Sequence, residues 1–161
     1  MKSTISLANF HARKFEVNLT VDTSAYASGD LLSDRVEVSI CSLLAGEKLQ
    51  GEVIGITLLD KDDEGAAIDL IFLDSDVSLG TINSAPTLSD ANAQAVFGAV
   101  SVTSYTDLGG CRVANPYHEP LPFESADGSI YVAAIVRGAP TYTAATDLRL
   151  KLLIQLHNVN L

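Results

Sequence analysis

The chain has 161 residues, 47% of them apolar, and a formal charge of −10. That length carries one domain with a real core, and the apolar share excludes a disordered chain. Ten Lys and Arg against twenty Asp and Glu exclude a protein that grips nucleic acid through its phosphates.

The charge is also uneven. From Asp22 to Asp107 fifteen acids face only Arg35, Lys48 and Lys61. Lys2, Arg13 and Lys14 precede that stretch, and Arg112, Arg137, Arg149 and Lys151 follow it. Opposite patches of this kind let copies or partners meet through complementary charge. Met1 to Phe10 carries one base and no long apolar run, so no secretory signal is expected. No stretch reaches the roughly 18 apolar residues of a membrane helix. Cys41 and Cys111 are far apart and are expected as free thiols. No Cys or His pair has zinc-ligand spacing, and no cofactor motif occurs.

Taken in order, Ser3 to Leu7 alternates briefly and Asn9-Phe10-His11-Ala12 interrupts it. Phe15, Val17, Leu19 and Val21 then alternate with polar residues, the pattern of a half-buried strand. Residues 1–14 therefore read as an arm or edge strand, and residues 15–161 as one domain. Tyr26 to Asp30 is a turn around Gly29, and Leu31-Leu32 opens a further strand. Val36, Val38 and Ile40 form the next alternating run. Ala45-Gly46-Glu47-Lys48 reads as a hairpin loop that leads to Val53–Leu59 as its partner. Gly51 and Gly55 mark bulges or close backbone approach.

The acidic corner from Asp60 to Gly65 leads into Ala66 to Asp76, the densest apolar run. Ile68, Leu70 and Phe72 share one parity, while Asp69, Ile71 and Leu73 share the other. A strand with one wet face shows polar residues at every second position; this one reads as covered on both faces. The short polar corner predicts that Val53–Leu59 and Ala66–Leu73 pair as antiparallel neighbours. Ser89 to Phe97 predicts a short helix, with Ser89 or Asp90 as N-cap and Gly98 as its end. Ala99–Tyr105 returns to strand. Gly109 to Phe123 holds three prolines and reads as a long irregular loop, the kind of segment that often makes contacts. Ile130–Val136 and Asp147–His157 complete the strands. Eight to ten short strands without βαβ alternation predict an all-β fold, an antiparallel β-sandwich or barrel, with a jelly roll suiting the strand count best.

Few residues suggest chemistry. Asp60, Asp62, Glu64 and Gly65 match the first half of an EF-hand loop, but its twelfth position is Ile71, which has no ligand atom. The corner is a solvated turn or a looser calcium site on Asp62, Asp63 and Glu64. Asp69 inside an apolar strand needs a partner such as Arg149, Lys151 or backbone amides, or points outward. His11, His118 and His157 are scattered, and neither a nucleophile elbow nor a phosphate-cradling loop occurs. Tyr105, Tyr117, Tyr131, Tyr142 and Phe123 form either core or a sugar-binding platform. No catalytic residue and no metal ligand are assigned.

Several pieces together resemble small structural proteins of tailed bacteriophages: Tyr26-Ala27-Ser28-Gly29-Asp30, Ala67 to Asp76, Leu88-Ser89-Asp90-Ala91, Ile130-Tyr131-Val132-Ala133 and Gly138-Ala139-Pro140-Thr141-Tyr142. The resemblance implies a non-enzymatic virion protein that decorates or cements the capsid. Its partners would be the major capsid protein or other virion proteins. It would assemble in the host cytoplasm as a homo-oligomer, a trimer before a dimer. The expected contact residues are Phe10, Arg13 and Lys14 of the N-terminal arm and Arg112 and Tyr117 of the Gly109–Phe123 loop. The alternatives are a receptor- or carbohydrate-binding module of a head fibre or tail, and a hydrolase on a sandwich scaffold.

Overall fold

A computed structural model describes residues 11–157 as ten strands in two antiparallel sheets packed face to face, a β-sandwich. The first sheet runs β1 (His11–Leu19), β10 (Leu148–Leu156), β3 (Leu49–Asp60), β7 (Arg112–Ala114) and β6 (Thr106–Asp107). β8 (Leu121–Ser125) pairs with the Leu49–Val53 half of β3. The second sheet runs β2 (Leu31–Ser39), β9 (Ser129–Val136), β4 (Ile68–Leu73) and β5 (Val96–Val102). Among the described residues no helix is long and apolar enough to cross a membrane.

Alternation decides which side chains face inward. Phe15, Val17 and Leu19 of β1 point into the space between the sheets, as do Leu148, Leu150, Leu152, Ile154 and Leu156 of β10. In β3 the inward parity changes: Leu49 and Val53 are buried, and then Ile56 and Leu58. A β-bulge makes the change possible. Leu153 of β10 faces Gly55, but the next residue, Ile154, faces Val53, so Ile54 is the extra residue. Without that one-residue shift Ile56 and Leu58 would turn to water.

Part of the second sheet is buried on both faces. Ile68, Leu70 and Phe72 of β4 join the central core. Leu73 on the opposite face meets Leu31, Tyr131 and Ala133 in a second apolar cluster, with Ile71 packed against it. Residues 74–95, between β4 and β5, cover this cluster with Val77, Leu79, Leu88 and Ala95. The cover is fastened to β2. Leu31 N–H donates to Ser84 O at 2.8 Å and Asn83 N–H to Leu31 O at 2.9 Å. The Asp34 carboxylate accepts Leu79 N–H and Ser78 Oγ–H, each at 2.8 Å. Arg35 Nε donates to Asp76 at 2.6 Å.

Several local expectations are corrected. β2 pairs with β9, and β3 pairs with β10, so Ala45–Lys48 is a crossover between sheets and not a hairpin loop. Asp60–Gly65 likewise carries the chain from the first sheet to the second, and β4 lies between β9 and β5. A short polar loop looks the same in sequence whether the next strand lies beside the last or across the sandwich. The predicted helix shrinks to a single 3-10 turn, Asn92–Ala95. Its N-cap is Ala91, neither Ser89 nor Asp90, although Ser89 Oγ accepts the Asn92 N–H at 3.3 Å. Val96 and Phe97 leave the turn because β5 completes its ladder to β4; strand pairing outweighs alanine's helix preference. Gly98 lies in β5 against Leu121. The predicted break at Asn9-Phe10-His11-Ala12 also fails where it is described: β1 already runs at His11 and Ala12, while Asn9 and Phe10 lie outside the described residues. Gly109–Phe123 is not wholly irregular, since it holds β7 and the start of β8.

Gly51 is needed for close approach. A Cβ there would lie 2.6 Å from the Gln155 carbonyl oxygen and 3.0 Å from the Phe123 ring. Gly51→Ala is therefore expected to lower unfolding stability by about 2 kcal/mol. Gly110→Ala, whose Cβ meets nothing within 4 Å, should stay within about 0.5 kcal/mol of the parent. Equilibrium denaturation of the two variants checks this; equal stabilities would contradict it.

Candidate functional site

The acidic corner is a clasp. Asp60 is fully buried, and its carboxylate accepts Gly65 N–H at 2.7 Å and Asp62 N–H at 3.1 Å. Asp62 accepts Thr143 N–H at 2.8 Å and Thr143 Oγ1–H at 2.9 Å. Asp63, at φ 60°, accepts from Arg112 Nε at 2.7 Å. The acids thus turn to different partners and tie the β3–β4 crossover to β7 and to Thr143. Among the described residues no group of three or more His, Cys, Asp and Glu is placed to hold a metal ion. Burial pushes the Asp60 carboxyl above its ordinary value, against the pull of the two backbone N–H groups.

Asp69 faces away from the central core and is held by Ser101 Oγ at 2.6 Å and Arg137 Nε at 2.7 Å. Its partner is neither Arg149 nor Lys151. Those two lie on β10 in the other sheet, beside Glu16 at 2.5 and 3.8 Å. Burial alone would raise the Asp69 carboxyl, but the Ser101 and Arg137 hydrogen bonds and the Arg137 charge outweigh it and hold the group below its ordinary value.

The other chemistry-bearing residues are dispersed. His118 Nδ1 lies 2.8 Å from the Glu119 carbonyl oxygen, and His157 Nε2 lies 3.9 Å from Glu52. Neither hydrogen-bonds a serine, and the His11 side chain lies outside the described set. Cys41 and Cys111 are free. Tyr131, Tyr142 and Phe123 are buried and Tyr105 is half-buried, donating to Ala66 O at 2.8 Å, so the five aromatics do not form one platform. Tyr117 alone of the five stands out, 89% exposed.

Tyr117 marks the surface that is built differently. Among the described residues, no segment like residues 74–95 covers the outer face of the first sheet. On it lies a groove of about 510 Å3. Its floor includes Ile54, Gly55 and Leu153, one wall is Asn115–His118, and the other carries Lys14, Glu16 and Lys151. A second, hydroxyl-rich groove of about 410 Å3 lies beside it, lined by Ser101, Thr103, Ser104 and Thr106. Asn115, Pro116 and Tyr117 line both, so they form the ridge between them.

Of the expected contact residues, the fold brings Lys14 and Tyr117 to the same groove. Arg13 is exposed on β1 beside Lys14. Arg112 lies opposite Asp60, at the far end of β3, and is tied to Asp63. Phe10 lies outside the described residues. Arg35, Lys48, Arg112, Arg137, Arg149 and Lys151 each have a carboxylate partner within 4.0 Å; among the described residues Arg13, Lys14 and Lys61 have none. Sequence reasoning missed the floor. Its signal was present in Leu152-Leu153-Ile154, where an apolar residue sits at a position that alternation assigns to solvent.

The carboxyl shifts set the acid response. Burial would raise Asp34 and Asp127, but Leu79 N–H, Ser78 and Arg35 around Asp34, and Tyr131, Ser129 N–H and Ser125 around Asp127, lower both, as Ser101 and Arg137 lower Asp69. A depressed carboxyl stabilises the fold fully above its ordinary value of 3.8, and this is lost as pH falls through the lower folded value. Asp60 has the opposite sign: its contribution is present below 3.8 and is lost as pH rises through its raised folded value. With Asp22 and Glu124 also lowered by their hydrogen bonds, five depressed carboxyls against one raised predict that stability falls below about pH 4, and that Asp34→Ala flattens the fall. Urea unfolding across the acid range checks this, and a profile identical in parent and variant would contradict it. In comparison with known proteins, no family model and no curated protein sequence matches the chain.

Proposed function

We propose that this chain is a non-enzymatic virion structural protein that decorates or cements the capsid of a tailed phage through protein–protein contact. The observation that carries the reading is the uneven cover of the two sheets. Residues 74–95 cover the Leu31–Leu73–Tyr131–Ala133 cluster on the outer face of the second sheet, while among the described residues no segment covers the groove on the first, which carries an exposed tyrosine and Lys14, a lysine with no carboxylate partner among those residues. A bare sheet face with an apolar floor and a polar rim has the make-up of a contact surface. The resemblance of Ala67–Asp76 and the other quoted pieces to phage structural proteins supplies the setting. The strand order adds support for a jelly roll, an architecture found in capsid and lectin domains. β1-β10-β3-β8 faces β2-β9-β4-β5, so the chain changes sheet at every step between these eight strands except β4 to β5. In this reading each copy bridges neighbouring shell proteins, and burial of the open face holds it there.

Particles stripped of this protein and incubated with purified chain test the reading by co-sedimentation. Saturable binding at a fixed copy number is expected. Lys14→Glu combined with Tyr117→Ala should weaken it at least tenfold, about 1.4 kcal/mol, with an unchanged circular dichroism spectrum. Full occupancy by the double variant would contradict it. A second reading, a carbohydrate-binding module, is favoured by one observation: the hydroxyl-rich groove flanked by Tyr117. It predicts saturable glycan binding that Tyr117→Ala abolishes, and a glycan array without hits would remove it.

A further inference from the structure

We infer that the groove on the first sheet receives the β6–β7 hairpin tip of a second copy of this chain, so that copies associate head to tail. The inference rests on the proposed function only in placing those copies on a particle; the contact itself belongs to the isolated protein.

The tip, Asp107-Leu108-Gly109-Gly110, presents an apolar knob. Leu108 is 59% exposed, although it sits in a fastened turn. Its N–H donates to Cys111 O at 2.9 Å, and Gly109 N–H donates to Asp107 Oδ1 at 2.7 Å. A turn already held in one shape loses little freedom on docking. Ile54 and Leu153 offer that knob an apolar floor, open to solvent within its own copy. Neither Asp107 nor Leu108 lines the groove of its own copy.

Charge points the same way. The groove holds Lys14 and Lys151 against a single carboxylate, Glu16, which Arg149 engages at 2.5 Å and Lys151 approaches at 3.8 Å. The tip carries the exposed carboxylate Asp107, and Arg112, which stands opposite it in the sheet, is already bonded to Asp63. A cationic rim and an acidic tip attract, whereas two grooves or two tips repel. The two surfaces differ, so the contact is heterologous. Repeated, it closes into a ring or extends as a chain.

Sedimentation of the purified protein up to roughly 0.1 mM, where a contact of about 1 μM is saturated, tests the inference. A ring gives one discrete multiple of the 17.0 kDa monomer mass, and an open chain gives a mass that keeps rising; either supports it. Leu108→Ser and Lys14→Glu, both at exposed positions, should each weaken association at least tenfold. Asp107→Lys added to Lys14→Glu should restore it. A monomer throughout would overturn the inference, as would association untouched by both single variants. So would its loss in Leu44→Ser, which alters another exposed leucine and is expected to change nothing. Association without particle binding would keep this inference and remove the virion reading; particle binding by a strict monomer would do the reverse.

Discussion

Water has to be kept off both faces of the β9–β4 pair. Ile68, Leu70 and Phe72 point one way from β4, and Ile71 and Leu73 the other. In β9, Ile130 and Val132 are buried on one side and Tyr131 and Ala133 on the other. A fully buried leucine contributes about 1.5–3 kcal/mol, so neither face can be left bare. The first sheet covers one face. Residues 74–95 must cover the other, and their ties to Leu31, Asp34 and Arg35 hold them in place. Among the described residues the two outer sheet faces therefore differ, one carrying a covered apolar cluster and the other an uncovered groove.

The same asymmetry appears in the charges. Most cations of this acidic chain are engaged internally: Arg112 secures the corner at Asp63, Arg137 neutralises Asp69, and Arg35 fastens residues 74–95 at Asp76. These are partly exposed pairs whose worth lies in position more than in energy. Arg13 and Lys14 on β1 have no such task among the described residues. Lys14 borders the groove, where Lys151 already shares Glu16 with Arg149, while Arg13 has the opposite parity on β1. Apolar floor, exposed tyrosine and a lysine without a carboxylate partner therefore coincide on the face that the described residues leave uncovered.

Much of the sandwich was legible. The two-faced character of Ala66–Leu73 showed in its lack of polar alternation, and β4 is an inner strand. Gly55 marked the bulge, and Gly51 the close approach. Pairing was not legible, because loop length does not distinguish a hairpin from a crossover: Asp60–Gly65 looked like a turn between neighbours and joins opposite sheets. The Ala-rich Ser89–Phe97 run misled because its residues Val96 and Phe97 are claimed by the β5–β4 ladder, a contact remote in sequence. Half of the site was readable. Lys14 and Tyr117 stood out by charge and by loop composition, but Ile54 and Leu153 meet them only through the register of β10 on β3. The partner of Asp69 was misassigned for a similar reason, since Arg137 follows β9, whose place beside β4 periodicity cannot give.

The central claim is that the open face of the first sheet is the surface this protein uses for contact. Lysine footprinting tests it most directly, because the chain has only Lys2, Lys14, Lys48, Lys61 and Lys151, and two of these line the groove. Amine labelling of the assembled and the dispersed protein, read by mass spectrometry, should show Lys14 and Lys151 protected on assembly while Lys61 stays reactive. Equal labelling of Lys14 and Lys151 in both states, with protection elsewhere, would contradict the account.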